Sequence, residues 1–140
     1  ATLYAFRGAF AAGETKRTLK YIKEYSERRL LGEHVPYPVE AFPEGNQRHL
    51  SAESALYCRI ITEGLFGIRP IGLNSFSFSP KMPEGWNEMA LRKIRSFGKT
   101  YDIKVNRIED SLLIKVFSDD QIFMESLIKN GKTVNVTMIN

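Results

Sequence analysis

A dense group of polar and aromatic side chains lies between residues 34 and 53. Its members are His34, Tyr37, Glu40, Phe42, Asn46, Gln47, Arg48, His49 and Glu53. Aromatic rings stack on the apolar C–H surfaces of sugars, while amides, carboxylates and guanidinium groups hydrogen-bond sugar hydroxyls. We therefore interpret this group as a candidate carbohydrate-binding site.

Carboxyl groups in and near this group are candidates for catalysis. Hydrolysis of a glycosidic bond uses a pair of them, one as acid and one as base or nucleophile. The candidates are Glu40, Glu44, Glu53 and Glu63. Glu44, in a Pro-Glu-Gly turn, best fits a solvated side chain, and Glu53 also suits the positive end of a helix dipole. Glu40 is harder to explain in that way, because apolar and aromatic residues flank it in a proline-bounded loop.

The sequence predicts neither a metal site nor a cofactor. His34 and His49 lie on either side of the loop, but no third ligand is evident. The single cysteine, Cys58, excludes an internal disulfide and a zinc site with several cysteines. The chain contains no glycine-rich phosphate loop, HExxH or CxxC motif.

Three helices are predicted in the first half of the chain, over residues 1–12, 14–31 and 51–66. The second shows one apolar stripe on a charged surface, which predicts an outer helix. The first and third are apolar around most of their circumference, which predicts burial on nearly all sides. So short a chain has little protein to cover the first helix. We expect it to pack against further parts of a longer parent chain or a second copy.

Residues 33–48 contain several prolines and a glycine, which exclude regular structure and predict a functional loop. From residue 71 the apolar period changes to two, which predicts strands. The predicted strands are 73–79, 89–97, 100–107 and 112–117, followed by hairpin arms 125–129 and 133–139 around Asn130-Gly131. The sequence thus predicts an α+β protein, with three N-terminal helices in a helical domain (1–70) and an antiparallel β-sheet or sandwich domain (71–140).

Aromatic residues of the β domain allow two interpretations. Phe76, Phe78, Trp86 and Phe97 alternate with polar residues, which favours a core role. Alternatively, Trp86 and Tyr101 belong to a sugar-binding face, and the domain is a carbohydrate-binding module. A third possibility is a β domain that only supports the helices.

The composition excludes other classes of protein. A chain that is 43% hydrophobic and 26% charged is globular. Its net charge of +4 is spread among interspersed acidic and basic residues, so no nucleic-acid surface is predicted. No apolar run has the length of a membrane span.

The stretch VPYPVEAFPEGNQRHLSAESALYCRIITEGLFGI, residues 35–68, resembles the closing segment of the six-hairpin glycosidases. In the trehalase and processing α-glucosidase branches, a glutamate is followed by an aromatic residue, a glycine and a Ser-Ala helix start. The matching positions are Glu40, Phe42, Gly45, Ser51 and Ala52. The next stretch, with its FxFxPxxPxxW pattern from Phe76, resembles the β domain that follows the catalytic domain in many bacterial members.

This resemblance implies that the helices are the end of an (α/α)6 toroid, in a C-terminal fragment of a larger glycoside hydrolase. It implies that Glu40 is the general base and that the general acid lies upstream, so that the isolated chain is inactive. It also implies a carbohydrate substrate and a secreted or periplasmic location.

Overall fold

A computed structural model of the chain describes residues 2–30, 51–119 and 121–139. The chain divides into two compact units, Ala1–Leu65 and Phe66–Asn140. The first contains helices, and the second contains strands that all pair antiparallel. The predicted α+β class, with helices before antiparallel sheets, is confirmed.

The helical unit contains α1 (Thr2–Ala11), α2 (Thr15–Arg29) and α3 (Ser51–Arg59), and α3 runs directly into a π-helix (Ile60–Leu65). No helix among the described residues combines the length and apolar character needed to cross a bilayer. A Schellman motif ends α1. Gly13 adopts a φ of 84°. Its N–H donates to Phe10 O at 3.0 Å, and the N–H of Glu14 donates to Ala9 O at 2.9 Å.

Each of the first two helices buries one stripe. On α1 the buried residues are Leu3, Phe6 and Phe10, whereas Tyr4 is 56% exposed. The described residues therefore cover only one side of this apolar helix. On α2 the buried residues are Thr18, Ile22 and Tyr25, which form one stripe on a charged helix.

The prediction that the third helix is buried around most of its circumference is wrong within the described chain. Ala52, Ala55 and Cys58 are exposed. Burial begins only at Ile60, where the backbone widens into the π-helix. There Gly64 lies against the Phe10 ring, because it has no side chain to hold the two segments apart. Contact with α1, rather than the period of the helix, decides which residues are buried.

The β unit consists of two sheets. One has the order β1-β2-β7, formed by Arg69–Pro70, Ser75–Phe78 and Val134–Thr137. The other has the order β3-β4-β5-β6, formed by Glu88–Ser96, Lys99–Ile108, Ser111–Phe117 and Ile122–Lys129. Strands β4 and β5 alternate buried and partly exposed residues, as expected for a sheet with one face in the core.

Aromatic stacking joins the two sheets into a sandwich-like core. The Phe76 ring centroid lies 6.0 Å from those of Phe97 and Tyr101. Phe76 and Phe78 are completely buried, which confirms their predicted core role. Burial of an aromatic side chain removes a large apolar area from water, and stacked pairs add to that stabilisation.

The prediction that Trp86 belongs to the core is wrong, because its side chain is 43% exposed. The turn that carries it is held by Arg107, whose guanidinium donates to Trp86 O and Pro83 O, each at 2.9 Å. Gly85 in this turn adopts a φ of 79°. These hydrogen bonds to backbone carbonyls hold the turn in a path that leaves the Trp86 ring outside the packed interior.

The prediction of a hairpin at Asn130-Gly131 is also wrong. Strand β7 pairs with β2, with Val136 opposite Phe76, and not with β6. The Asn130 side chain instead binds the backbone of Met82, accepting its N–H and donating to its carbonyl, each at 3.1 Å. The turn therefore passes the chain from one sheet to the other.

Two helical glycines should respond oppositely to alanine. A Cβ on Gly64 would lie 2.7 Å from the Phe10 ring, so Gly64→Ala should lower the free energy of unfolding by ~1–3 kcal/mol through overpacking. A Cβ on Gly8 would meet nothing within 4 Å, so Gly8→Ala should raise it by ~0.5–1 kcal/mol. Urea denaturation measures both, and two changes of the same sign would contradict this packing.

The Asn130 bridge predicts a second effect on stability. Asn130→Ala should lower the free energy of unfolding by ~1–3 kcal/mol, because it leaves polar backbone atoms of Met82 without partners. Met82 is only 3% exposed, so water cannot readily replace them. Asn135→Ala removes the same amide from an exposed position on β7 and is the matched control. Chemical denaturation of both variants checks this, and equal stabilities would argue against the bridge.

Candidate functional site

Of the predicted site residues, the structure describes Glu53, which lies in the first turn of α3. The remaining predicted site residues lie outside the described residues: His34, Tyr37, Glu40, Phe42, Asn46, Gln47, Arg48 and His49. The assignment of Glu40 as a base and of the other residues as a sugar-binding group stays a prediction.

Three aromatic residues form a cluster in the helical unit, which we call the tyrosine cluster: Phe6, Tyr25 and Tyr57. The Phe6 ring meets Tyr25 edge-on, with centroids 6.0 Å apart and an interplanar angle of 87°. Tyr25 and Tyr57 stack at 6.1 Å and 22°. The Tyr57 hydroxyl is 2.7 Å from Ser26 Oγ in a hydrogen bond. These contacts bring the last turns of α2 against the C-terminal half of α3.

Helical spacing explains how charged groups reach the tyrosine cluster. Arg29 follows Tyr25 by one turn on α2, and Glu53 precedes Tyr57 by one turn on α3. The Arg29 guanidinium lies 5.3 Å from the centre of the Tyr25 ring, in a cation–π contact. The sequence analysis missed Tyr25 and Tyr57. The spacing of each tyrosine from its charged neighbour is the signal that points to them.

Opposing influences act on the Tyr25 hydroxyl. Burial raises its pKa above 10.0, the negative charge of Glu53 raises it further, and the positive charge of Arg29 lowers it. The hydroxyl oxygen is buried and has no hydrogen-bond partner of ordinary geometry among the described residues. Glu53 and Arg29 thus act on it mainly through their charges. The arrangement keeps a neutral phenol beside a carboxylate.

A groove of about 440 Å³ opens beside the tyrosine cluster. Its lining residues are Thr2, Phe6, Tyr21, Glu24, Tyr25, Arg28 and Arg29. Aromatic rings, a carboxylate and guanidinium groups face the same space, which is the chemistry that suits polyhydroxylated ligands. The same types of residue occur in the predicted sugar-binding group of residues 34–53.

Glu63, another of the candidate carboxylates, is occupied by ion pairs. Its carboxylate lies 3.2 Å from an Arg7 guanidinium nitrogen and accepts two hydrogen bonds from Arg59. Hydrogen bonding to Glu63, followed by its charge, raises the pKa of Arg59. The carboxylate therefore joins α1 to the π-helix, a structural role.

The β unit does not form the predicted sugar-binding face of Trp86 and Tyr101. Tyr101 is only 3% exposed, and its hydroxyl is 2.7 Å from Ser96 Oγ. Burial raises its pKa. Trp86 alone is exposed, so the two rings do not share a surface.

The described residues contain no group of three or more histidine, cysteine, aspartate or glutamate side chains placed to hold a metal. Comparisons with protein-family models, curated proteins and solved structures found no match. The functional interpretation therefore depends on the residues of this chain.

The electrostatics of the tyrosine cluster predict a specific titration. Tyr25 and Tyr101 should ionise at higher pH than ordinary tyrosines, and Glu53→Gln should lower the pKa of Tyr25 by removing a nearby negative charge. Ultraviolet titration of the phenolate band, with Tyr25→Phe to assign the transition, measures this. Glu27→Gln on the exposed side of α2 is the control and should leave the pKa unchanged.

The same shift predicts how stability depends on pH. The folded state holds the Tyr25 proton more tightly than the unfolded chain. Its stabilisation is therefore complete below pH 10.0, the ordinary tyrosine pKa, and is lost as the pH rises through the folded pKa. Tyr25→Phe should weaken this alkaline loss in urea denaturation at a series of pH values. An unchanged profile would contradict the assignment.

Proposed function

We propose that this chain is the C-terminal part of a glycoside hydrolase that acts on oligo- or polysaccharides, with Glu40 as its general base. The observation that carries the proposal is the resemblance of residues 35–68 to the closing segment of the six-hairpin glycosidases. In this proposal the helices belong to an (α/α)6 toroid, and the parent enzyme is secreted or periplasmic.

The helical unit supports this proposal at the two ends of the segment that carries Glu40. The segment leaves α2 just after Arg29 and enters α3 just before Glu53. Both residues act on Tyr25, so the segment begins and ends beside the tyrosine cluster. The described residues that flank the segment in sequence thus lie among aromatic and charged side chains.

The proposed mechanism assigns one proton transfer to this chain. In an inverting hydrolase, the base removes a proton from a water molecule that attacks the anomeric carbon, while an acid on the opposite side protonates the leaving group. The two carboxyl groups are then ~6.5–9.5 Å apart. Glu40 would be the base, and the acid would lie upstream in the parent. The isolated chain would then have no hydrolytic activity.

The exposed side of α1 supports the proposal of a larger parent. Tyr4 is 56% exposed, and the neighbouring Ala5 and Gly8 are also exposed. In an α-helical toroid each inner helix is covered by its neighbours, so we propose that further helices of the parent pack here. A second copy of the chain is the alternative occupant.

Replacement of Glu40 tests the catalytic proposal. In the parent enzyme, Glu40→Gln should reduce kcat by about 10²–10⁴-fold, because general-base catalysis contributes about that factor. KM should change little, because the amide keeps the size and polarity of the carboxylate. Reducing-sugar release from an oligosaccharide substrate measures both constants.

Glu44→Gln is the matched control, because it makes the same chemical change at the glutamate that best fits a solvated position. It should keep near-normal turnover. If Glu40→Gln retains normal turnover, or if both variants lose activity equally, Glu40 is not the base.

A further inference from the structure

A second groove lies in the β unit, at the end of the sheet where the β3–β4 turn and the β5–β6 connection meet. Its volume is about 700 Å³. Three cationic side chains line it, Lys93, Arg95 and Lys99, together with the rings of Phe117, Phe123 and the largely buried Tyr101. We call this site the basic groove.

A β-bulge helps place the cations of the basic groove. The pairing of β3 with β4 shifts register between Leu91 and Ile94. Within the bulge, Lys93 has a φ of 55°, a left-handed conformation that lysine rarely adopts. The Asp102 carboxylate holds it there by accepting the Lys93 N–H at 2.8 Å. Bulges commonly redirect a side chain near functional sites, and such strain is tolerated when the surrounding structure enforces it.

The β3–β4 turn places the third cation. Phe97 and Gly98 have φ values of 55° and 70°, as in the two-residue type I′ turn that suits a twisted hairpin. Lys99 follows directly, and its ammonium lies 5.7 Å from the centre of the Phe123 ring. Arg95 is opposite Thr100 in the same hairpin. Cations from one hairpin thus converge on one groove.

Two cations of the basic groove, Lys93 and Arg95, differ from the lysines farther along the sheet. Lys104 pairs with Glu88 at 2.8 Å, and Lys115 pairs with Glu125 at 3.6 Å. Among the described residues, neither Lys93 nor Arg95 has an ion-pair partner. The sheet therefore neutralises its central cations and leaves positive charge at the groove.

The other side chains that line the groove indicate which class of ligand it can bind. The polar side chains beside the cations are Thr100, Asp102, Ser118, Asp119 and Gln121. Hydroxyls, carboxylates and an amide can exchange hydrogen bonds with sugar hydroxyls, and the phenylalanine rings offer apolar contact. Three cations and two carboxylates leave a small excess of positive charge, which suits an isolated carboxylate or sulfate better than the dense negative charge of a polyphosphate backbone.

We propose that the basic groove binds an acidic saccharide through a carboxylate or sulfate group. Arg95 and Lys93 bind the anion, and the polar and aromatic residues contact the sugar ring that carries it. The choice of a saccharide as ligand rests on the proposed function, whereas the anion site rests on the groove itself. This site would select negatively charged polysaccharides as substrates of the parent.

Binding by the 140-residue chain tests this proposal. Isothermal titration with a galacturonate trimer, a sulfated galactan oligosaccharide and a neutral galactan of equal length should show tighter binding of an acidic ligand. The difference should be about tenfold or more at low salt and should shrink as salt is added. The first two ligands distinguish a carboxylate from a sulfate.

Substitutions that remove positive charge show where the acidic ligand binds. The double variant Lys93→Asn/Arg95→Gln should weaken acidic binding by about tenfold or more, because it removes charge-assisted hydrogen bonds. Lys129→Gln/Lys132→Gln makes the same change in charge at exposed positions that do not line the groove, and should bind as the wild type does. Lys93→Asn alone provides a second test, because asparagine tolerates a positive φ and the fold is retained while the charge is lost.

Three outcomes would overturn the proposal. They are equal binding of neutral and acidic oligosaccharides, equal losses in the two double variants, and tighter binding of a single-stranded DNA oligonucleotide than of any saccharide. Glu40→Gln should leave binding in the basic groove unchanged. Failure of the catalytic proposal is therefore distinguishable from failure of this one.

Discussion

Burial of aromatic rings away from water is the constraint on which both units depend. In the helical unit, the completely buried Phe10 requires Gly64, because any side chain there would meet the ring. In the β unit, Phe76 stacks on Tyr101 and couples the two sheets. Each unit must then arrange its backbone so that these rings are enclosed. Gly64 of the π-helix lies against Phe10, and Val136 of β7 lies opposite Phe76 in the sheet.

Polar groups are positioned by the same packing. Tyr25 is fixed between Phe6 and Tyr57, so its hydroxyl is held where Glu53 and Arg29 act on it. Positive charge in the basic groove has a similar origin. Pairing of β3 with β4 holds the bulge at Lys93 in place. The stability of the rest of the sheet offsets the energetic cost of the left-handed backbone at this residue. The positions of charged groups at the surface therefore depend on how rings and strands pack beneath them.

Much of the β unit could be predicted because alternation is a local property. A strand with one buried face shows that face in its own sequence, as Phe76 and Phe78 do. The choice of strand partners is not local. Asn130-Gly131 has the composition of a hairpin turn, but its side-chain bonds to Met82 and the pairing of β7 with β2 depend on residues far along the chain. The prediction of a buried Trp86 is wrong for a similar reason, because Arg107 of β4 holds the turn that carries this residue.

The sequence by itself determined the α+β class and the order of helices before strands. These follow from periodicity and turn chemistry, which act between near neighbours. Only the tertiary structure decided which tyrosines cluster beside Glu53, and that Lys93, Arg95 and Lys99 share a groove with Phe117 and Phe123. The physical reason is that such sites join residues from separate elements, and their meeting depends on which apolar surfaces are buried together.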